Sequence, residues 1–397
     1  VLLLAGEIGT ERSDTLRLPR MVELGPRRRS HRRPRVGEVS LVKRSTKGSV
    51  RRSLESSVVG AFARDVARIF WWVARNEYFY RKCRRVLIND PPDFIYERYV
   101  AGSWIGTRLA RDLRVPLLVE MNASFTFPEE WWTRHTPVYT SSVRWVERRN
   151  AGRADNVVVV SSLLRDYLLS LNIATEKVSV MFNGADVSRF RPDVDGAEAV
   201  RRAYQLEGHL VVGFIGSLKP WHGVDLLLES AKDLAERGSP VRWLIVGDGP
   251  LLEWLQRRAE QEQLSELMHF VGYVPRDRAP AHVAAMDIAV SPVTAAGRSA
   301  IKIFEYMASG CAVIASRDPD TATIIRDHHN GLLVAPGSHE ELRDAITRLV
   351  DDPELRARLG VEARRTIEAN FTWQRNATRV VEIAGAAMRP PVAPATE

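Results

Sequence analysis

Lys302 and Glu305 lie three residues apart in Ser299-Ala300-Ile301-Lys302-Ile303-Phe304-Glu305. On a helix, that spacing puts both on one face within the first two turns. A cation and a carboxylate so placed suit a phosphate and a pair of sugar hydroxyls, and the free N–H groups at the helix start add to an anion site. The same pair also describes a surface ion pair, worth little, and spacing leaves the two readings even. A second candidate is Gly213-Phe214-Ile215-Gly216-Ser217-Leu218-Lys219-Pro220-Trp221-His222-Gly223, a buried strand, a glycine turn, a basic residue and a helix. Glycine lets a backbone approach a ligand closely, and Lys219 and the helix N-terminus both favour an anion. A plain strand–turn–helix has the same outline. Val246-Gly247-Asp248-Gly249-Pro250 repeats that outline and reads as mainly structural.

Other chemistries lack their residues. There is no G-x-G-x-x-G after a strand, no Walker loop and no H-E-x-x-H. His328-His329 stands beside Asn330-Gly331 in a turn and is not expected to hold a metal. Ser161-Ser162 follows a strand without nucleophile-elbow spacing, so its hydroxyls read as a cap on the next helix. Two cysteines, Cys83 and Cys311, exclude a disulfide framework or a cysteine-rich zinc site.

The elements that must position these residues are short, continuous apolar runs. They are Phe94–Tyr96, Leu117–Val119, Val157–Val160, Val178–Met181, Leu210–Ile215, Trp243–Val246, Met268–Val271, Ile288–Val290, Val313–Ala315 and Leu332–Val334. Unbroken runs mark strands buried on both faces. Amphipathic helices lie between them, one carrying Val224, Leu227, Leu228, Ala231, Leu234 and Ala235 on one stripe and ending near Gly238. This alternation predicts α/β architecture with doubly wound parallel sheets. With 397 residues, 45% hydrophobic and 27% charged, two domains are expected. The turn-rich stretch Arg191-Pro192-Asp193-Val194-Asp195-Gly196 puts the boundary between Phe190 and His209. The expected division is 1–195 as N-terminal domain, with 27–57 irregular and Arg-rich, and 205–370 as C-terminal domain. Ligands in such sheets bind outside the carboxyl ends of the strands, in a cleft between the domains.

Charge is lopsided. Residues 1–85 hold 21 basic and 8 acidic side chains, a net of +13, while the rest holds 36 and 41, a net of −5. An anionic partner is implied. Val1–Ala5 reads as a first strand, and Arg27–Arg35 as a loop that repels itself. In residues 58–80, Val58, Phe62, Val66, Ile69, Phe70, Val73 and Phe79 alternate with Arg64, Arg68 and Arg75. A helix packed on the N-terminal sheet is the favoured reading, and an interfacial helix on anionic lipid is the rival. No run approaches the roughly 20 residues of a membrane span. Glu7 and Glu11 break a signal-peptide pattern, so a cytoplasmic location is expected. No aromatic-basic motif supports nucleic acid.

In order and combination, several segments resemble retaining GT-B glycosyltransferases of the family 4 type. They are Arg153–Ser161, Asn183–Pro192, Gly216–Gly223 and Lys302–Ala308, with Asn330–Gly337 and Phe371-Thr372-Trp373 as closing elements. The resemblance covers about residues 86–386. It implies two Rossmann-like domains facing across a cleft, a nucleoside diphosphate sugar held mainly by the C-terminal one, and a last helix, 371–388, crossing back to the N-terminal domain. A flexible tail, 389–397, would follow. In the family, the carboxylate at the Glu305 position binds the donor ribose and basic groups after the first C-terminal strand bind the diphosphate. That implies donor contacts from Gly216, Ser217, Lys219, His222 and Gly247. Tyr273 and Val274 would lie at the base, and Arg298, Ser299, Ala300, Ile301 and Lys302 at the phosphates and sugar. Asn122, Lys219 and Glu305 would serve the reaction. No metal and no cofactor beyond the donor is expected, since placed cations offset the leaving-group charge.

Two positions depart from the family pattern. A glutamate common eight residues before Glu305 is Gly297, and a histidine common at the end of an N-terminal strand is Asn122. Asparagine can hydrogen-bond a sugar hydroxyl but cannot act as acid or base. The expected acceptor is a glycan, a lipid-linked sugar or a small molecule. A non-catalytic nucleotide-sugar-binding scaffold and a GT-B nucleotide-sugar epimerase are the alternatives.

Overall fold

The computed structural model describes residues 2–6, 20–23, 58–124, 137–192, 195–294 and 301–388. The Arg-rich stretch 27–57 and the tail 389–397 lie outside them, so the irregular loop and the flexible tail do too. The chain divides into two compact units. Unit 1 holds Val1–Val159, Leu163–Val180 and Val380–Glu397, and unit 2 holds Val160–Ser162 and Met181–Arg379.

Unit 1 contains one sheet in the order β2-β1-β3-β4-β5-β6. Its strands are β1 Leu2–Gly6, β2 Arg20–Glu23, β3 Phe94–Arg98, β4 Leu117–Met121, β5 Asn156–Val159 and β6 Val178–Val180. β3 to β6 are parallel, as their apolar runs imply. The first strand is present, but it lies antiparallel to β3, and β2 pairs antiparallel on its other side. The fully parallel expectation is corrected there. Arg20–Glu23 is short and carries charge at both ends, so it gave no apolar signal.

The basic aromatic segment forms one helix, Val58–Leu87. Trp72, Tyr80, Cys83 and Leu87 are buried, which is the packed reading. Asn76, fully buried, holds that face. Its Nδ2 donates to Trp72 O (2.7 Å) and Gly102 O (2.8 Å), and its Oδ1 accepts from Trp104 N (3.1 Å). Gly102 is required here: at φ +73°, a Cβ would come within 2.4 Å of the Trp72 ring. The other face stays open, with Phe70 74% and Trp71 59% exposed.

Unit 2 contains a parallel sheet in the order β12-β11-β10-β7-β8-β9. Its strands are β7 Val211–Ile215, β8 Arg242–Val246, β9 Met268–Gly272, β10 Ile288–Ser291, β11 Ala312–Ser316 and β12 Leu332–Val334. Alternate strand residues enter two separate cores. Val212, Phe214, Trp243 and Ile245 join the helix 224–236 on one face. Val211, Leu244, Val246 and Ala289 join Ile303, Phe304, Tyr306 and Met307 on the other. Burial on both faces explains why the runs are continuous rather than alternating.

The boundary differs from the sequence expectation. Unit 2 begins at Met181, so the turn-rich stretch near 190–209 lies inside it. The reason is the helix Ala197–Ala203, which belongs to the unit 2 core. Val200 is buried there, and Arg201 Nη2 donates to Asp287 Oδ2 (2.9 Å). The same oxygen accepts from Val211 N (2.8 Å). The last helix is Trp373–Met388, whose residues from Val380 group with unit 1. Asp287→Ala is expected to lower unfolding stability by about 1–3 kcal/mol, since it strands the Val211 N–H; a chemical-denaturation midpoint compared with Asp287→Asn measures it.

Candidate functional site

In unit 2 the expected donor residues sit on the loops leaving the carboxyl ends of β7, β8 and β9, and on the helix after β10. Backbone hydrogen bonds lace the three loops together. Gly216 N donates to Val246 O (2.9 Å), Leu218 N to Asp248 O (2.9 Å) and Gly247 N to Gly272 O (2.8 Å). Gly247 has φ +138°, and a Cβ there would lie 1.8 Å from Gly216 O, so any side chain would push the two loops apart. The N–H groups of Gly216 and Gly247 are thus committed to the protein, and their role is steric. The Val246–Pro250 turn, which looked mainly structural, holds the Gly216 turn in place.

Cations must then come from side chains. Lys302 lies on the helix Ile301–Ala308. Its stem is partly exposed, but Nζ is enclosed, 4.3 Å from the Phe214 ring centre, with no hydrogen-bond partner among the described residues. Nζ would stand 3.1 Å from a Cβ on Gly216. Burial pushes its pKa down to about 7. Lys302 and Glu305 form no ion pair, which removes the surface-pair reading. An enclosed ammonium with unused donors is unfavourable until an anion arrives. Tyr306, one turn on from Lys302, fixes the geometry. Its buried hydroxyl accepts from Ile215 N (2.8 Å) and so ties this helix to the end of β7.

Glu305 is half-buried. Burial raises its carboxyl pKa, opposed by the charges of Arg276 and Arg189. Arg189 Nη2 donates to Arg276 O (3.3 Å). Neither arginine emerged as a site residue from sequence. Arg189 stood inside the Asn183–Pro192 motif and Arg276 two residues beyond Val274, and those positions were the available signal.

Lys219 Nζ stacks 4.9 Å from the Trp221 ring centre. His222 closes a short turn, Pro220–His222, and its Nδ1 pairs with Ser217 O; the acceptor is a carbonyl, so Nδ1 carries the proton. Gly223, at φ +64°, has room for no Cβ, which would fall 1.9 Å from Pro292 O. Tyr273 is 76% exposed at the β9 exit, and Val274 lies half-buried beside it. Ile301 is exposed at the helix start. Arg298, Ser299 and Ala300, with Gly297, lie outside the described residues. Asn122 belongs to unit 1, directly after β4, and its Oδ1 is enclosed without a hydrogen-bond partner among the described residues.

The closing motifs are mainly architectural. Ala185 N donates to Phe371 O (2.9 Å), and Trp373 N to Ala185 O (3.3 Å). Phe371 packs edge-on against both Phe182 and Phe304, linking that seam to the Lys302 helix. Asn330, fully buried, accepts from Arg326 N (2.7 Å) and donates to Thr366 Oγ1 (2.9 Å). At the start of the helix Ser162–Ser170, Asp320 Oδ1 accepts from Ser162 N (2.8 Å).

Residues 33–189 match the family model of Glycosyltransferase Family 4, and residues 197–366 match that of Glycosyl transferases group 1. The chain belongs to the family 4 type of GT-B glycosyltransferases. The match begins well before residue 86, where the resemblance was first legible. The chain is 29% identical over 242 residues to a GDP-mannose-dependent alpha-(1-6)-phosphatidylinositol monomannoside mannosyltransferase of Mycolicibacterium smegmatis. That match spans 59% of this chain and 63% of the relative, less than two thirds of its length. It is 26% identical to an alpha-D-kanosaminyltransferase of Streptomyces kanamyceticus, over 77% of this chain and 78% of that one. Among solved structures, Anabaena HepE in complex with UDP shares the fold, with a TM-score of 0.66 at 20% identity, over 77% of this chain and 82% of that one.

The buried ammonium makes a stability prediction. The unfolded chain binds the Lys302 proton more tightly than the folded one, so stability falls as pH drops from about 10 towards 7. Lys302→Met should therefore melt higher than the parent at pH 6, and the gain should shrink by pH 10. A gain that is the same at both pH values would contradict the assignment. Tyr306→Phe should cost about 1–3 kcal/mol by stranding the Ile215 N–H, read from a denaturation curve.

Proposed function

We propose that the protein transfers a sugar from a nucleoside diphosphate sugar to an acceptor with retention of anomeric configuration. The observation that carries this reading is the enclosed Lys302 ammonium at the Gly216 turn, which has no hydrogen-bond partner among the described residues. A diphosphate oxygen there would supply the missing partner, and Lys219 on the same turn would share the charge. Glu305 would accept hydrogen bonds from the donor ribose hydroxyls, and the exposed Tyr273 with Val274 would lie against the base. The protein's contribution is positioning and charge stabilisation. Lys302 and Lys219 hold the departing diphosphate, and one of its oxygens takes the acceptor proton as the new glycosidic bond forms on the same face. In this reading no metal or further cofactor is required. Asn122 would hydrogen-bond a sugar hydroxyl, since its amide cannot transfer the proton.

The acceptor side includes a membrane surface in this proposal. The open face of the 58–87 helix carries Phe70, Trp71 and Tyr78. Arg75 stands 4.7 Å from the Trp71 ring centre and Lys82 5.6 Å from that of Tyr78. Aromatic rings among cations suit an anionic lipid interface, and the mannosyltransferase relative is named for a lipid acceptor. No described helix is long and apolar enough to cross a membrane, so the contact would be peripheral.

Glu305→Ala and Lys219→Ala should each lower kcat/KM on the order of a hundredfold while melting like the parent. UDP affinity, measured by calorimetry, should weaken above pH 7 by at most about tenfold per pH unit, as free Lys302 loses its proton. An inverted product anomer by NMR would overturn retention. For the membrane contact, Phe70→Ala with Trp71→Ala should reduce sedimentation with phosphatidylglycerol vesicles; unchanged sedimentation would contradict it.

A further inference from the structure

At the opposite end of the unit 1 strands from Asn122 lies a cavity of about 1120 Å³. Asp93, Pro116 and Asp155, which precede β3, β4 and β5, mark that amino-terminal edge. Its walls are rich in arginine and tryptophan. On the helix Pro137–Arg153, the residues Trp145, Arg149 and Arg153 recur every fourth position and so share one face. The Arg149 guanidinium lies 5.2 Å from the Trp145 ring centre, and Trp145 is 61% exposed. Arg114 joins them from the end of the helix Ile105–Leu113.

Two of the neighbouring arginines are already paired, and two carboxylates, Asp93 and Asp155, share the wall. Arg108 pairs with Glu77 (2.6 Å), Arg111 with Asp112 (3.0 Å), and Asp155 Oδ2 accepts from Leu117 N (2.8 Å). Arg114, Arg149 and Arg153 form no ion pair among the described residues. Like charges at i,i+4 repel, so Arg149 and Arg153 are together unfavourable until an anion sits between them. Guanidinium forks match carboxylate and phosphate oxygens, and an exposed indole offers a flat apolar face for a sugar ring. The volume exceeds the roughly 300–1,000 Å³ of small-ligand pockets, which favours an extended ligand. A concave cavity does not fit a lipid surface.

We propose that this cavity is a second, non-catalytic site that binds an anionic oligosaccharide, stacking a ring on Trp145 and pairing its acid groups with Arg114, Arg149 and Arg153. The choice of a saccharide rests on the reading of the chain as a sugar transferase; the unpaired arginines do not. Such a site would hold a glycan at the amino-terminal edge of the unit 1 sheet.

Calorimetry on the full chain with tetragalacturonate tests it, with maltotetraose, pyrophosphate and phosphatidylglycerol vesicles as controls. Tetragalacturonate should bind, weakening with salt, while maltotetraose does not. Arg149→Ala with Arg153→Ala, and separately Trp145→Ala, should each weaken it by at least roughly tenfold. UDP binding and the melting temperature should both be unchanged in both variants, showing an intact fold. Glu305→Ala should leave tetragalacturonate binding intact even if it abolishes transfer, separating this site from the donor site. Three results would each overturn the proposal: no tetragalacturonate binding, equal binding in the double variant, or a Trp145-independent affinity matched by pyrophosphate. So would loss of vesicle binding in the double variant with oligosaccharide binding unchanged.

Discussion

An enclosed ammonium with no counter-charge among the described residues is the constraint around which unit 2 is arranged. Desolvating Lys302 lowers its pKa to about 7, so the fold holds a group that would be more stable in water. Keeping it in place takes several elements at once. Phe214 from β7 faces it, Tyr306 pins its helix to Ile215, and Phe304 leans on Phe371. Each contact comes from a different segment of the chain. A helix free to shift would carry Lys302 to solvent and relieve the desolvation. The hydroxyl bond and the aromatic seam oppose that shift, and an arriving anion removes the reason for it.

The glycines explain why side chains supply the charge. Gly216 and Gly247 approach so closely that their N–H groups are used in joining loops, not in binding. Cations then fall to Lys302, enclosed, and Lys219, resting on Trp221. Glu305 completes the contrast on the same helix. Burial raises its pKa while Arg189 and Arg276 restrain the rise, so one short helix carries a lysine pushed towards neutrality and a carboxyl pushed the same way. A bound donor, with its phosphates and hydroxyls, suits both groups in their charged forms.

Unit 1 handles charge differently. Its 58–87 helix is locked on one side by Asn76 and shows aromatic rings with cations on the other. The packed reading holds on one face, and the exposed rings of the other face are what the proposed membrane contact would use. The strongly positive balance of residues 1–85 resides partly on this open face. The three cavity arginines that form no ion pair among the described residues lie beyond residue 85, in a part of the chain whose overall balance is slightly acidic. Local placement, not net charge, makes that cavity basic.

By itself the sequence determined the α/β class, nearly every parallel strand and the family, because runs buried on both faces leave an unbroken apolar trace and loop motifs keep their spacing. It also singled out Lys302, Glu305 and Lys219, the residues proposed for the donor. It could not place β1 antiparallel, since strand direction is set by pairing, or find Arg20–Glu23, since an edge strand needs little apolar character. The domain boundary escaped because the composition of residues 190–209 resembles a linker while Arg201 and Val200 bind it into unit 2. Only the tertiary structure decided that Lys302 is enclosed and without a partner among the described residues, that Gly247 serves by touching Gly216, and that Arg189 and Arg276 act on Glu305. Those are relations between residues distant along the chain. Burial and electrostatic coupling depend on distance in space, which local spacing does not encode.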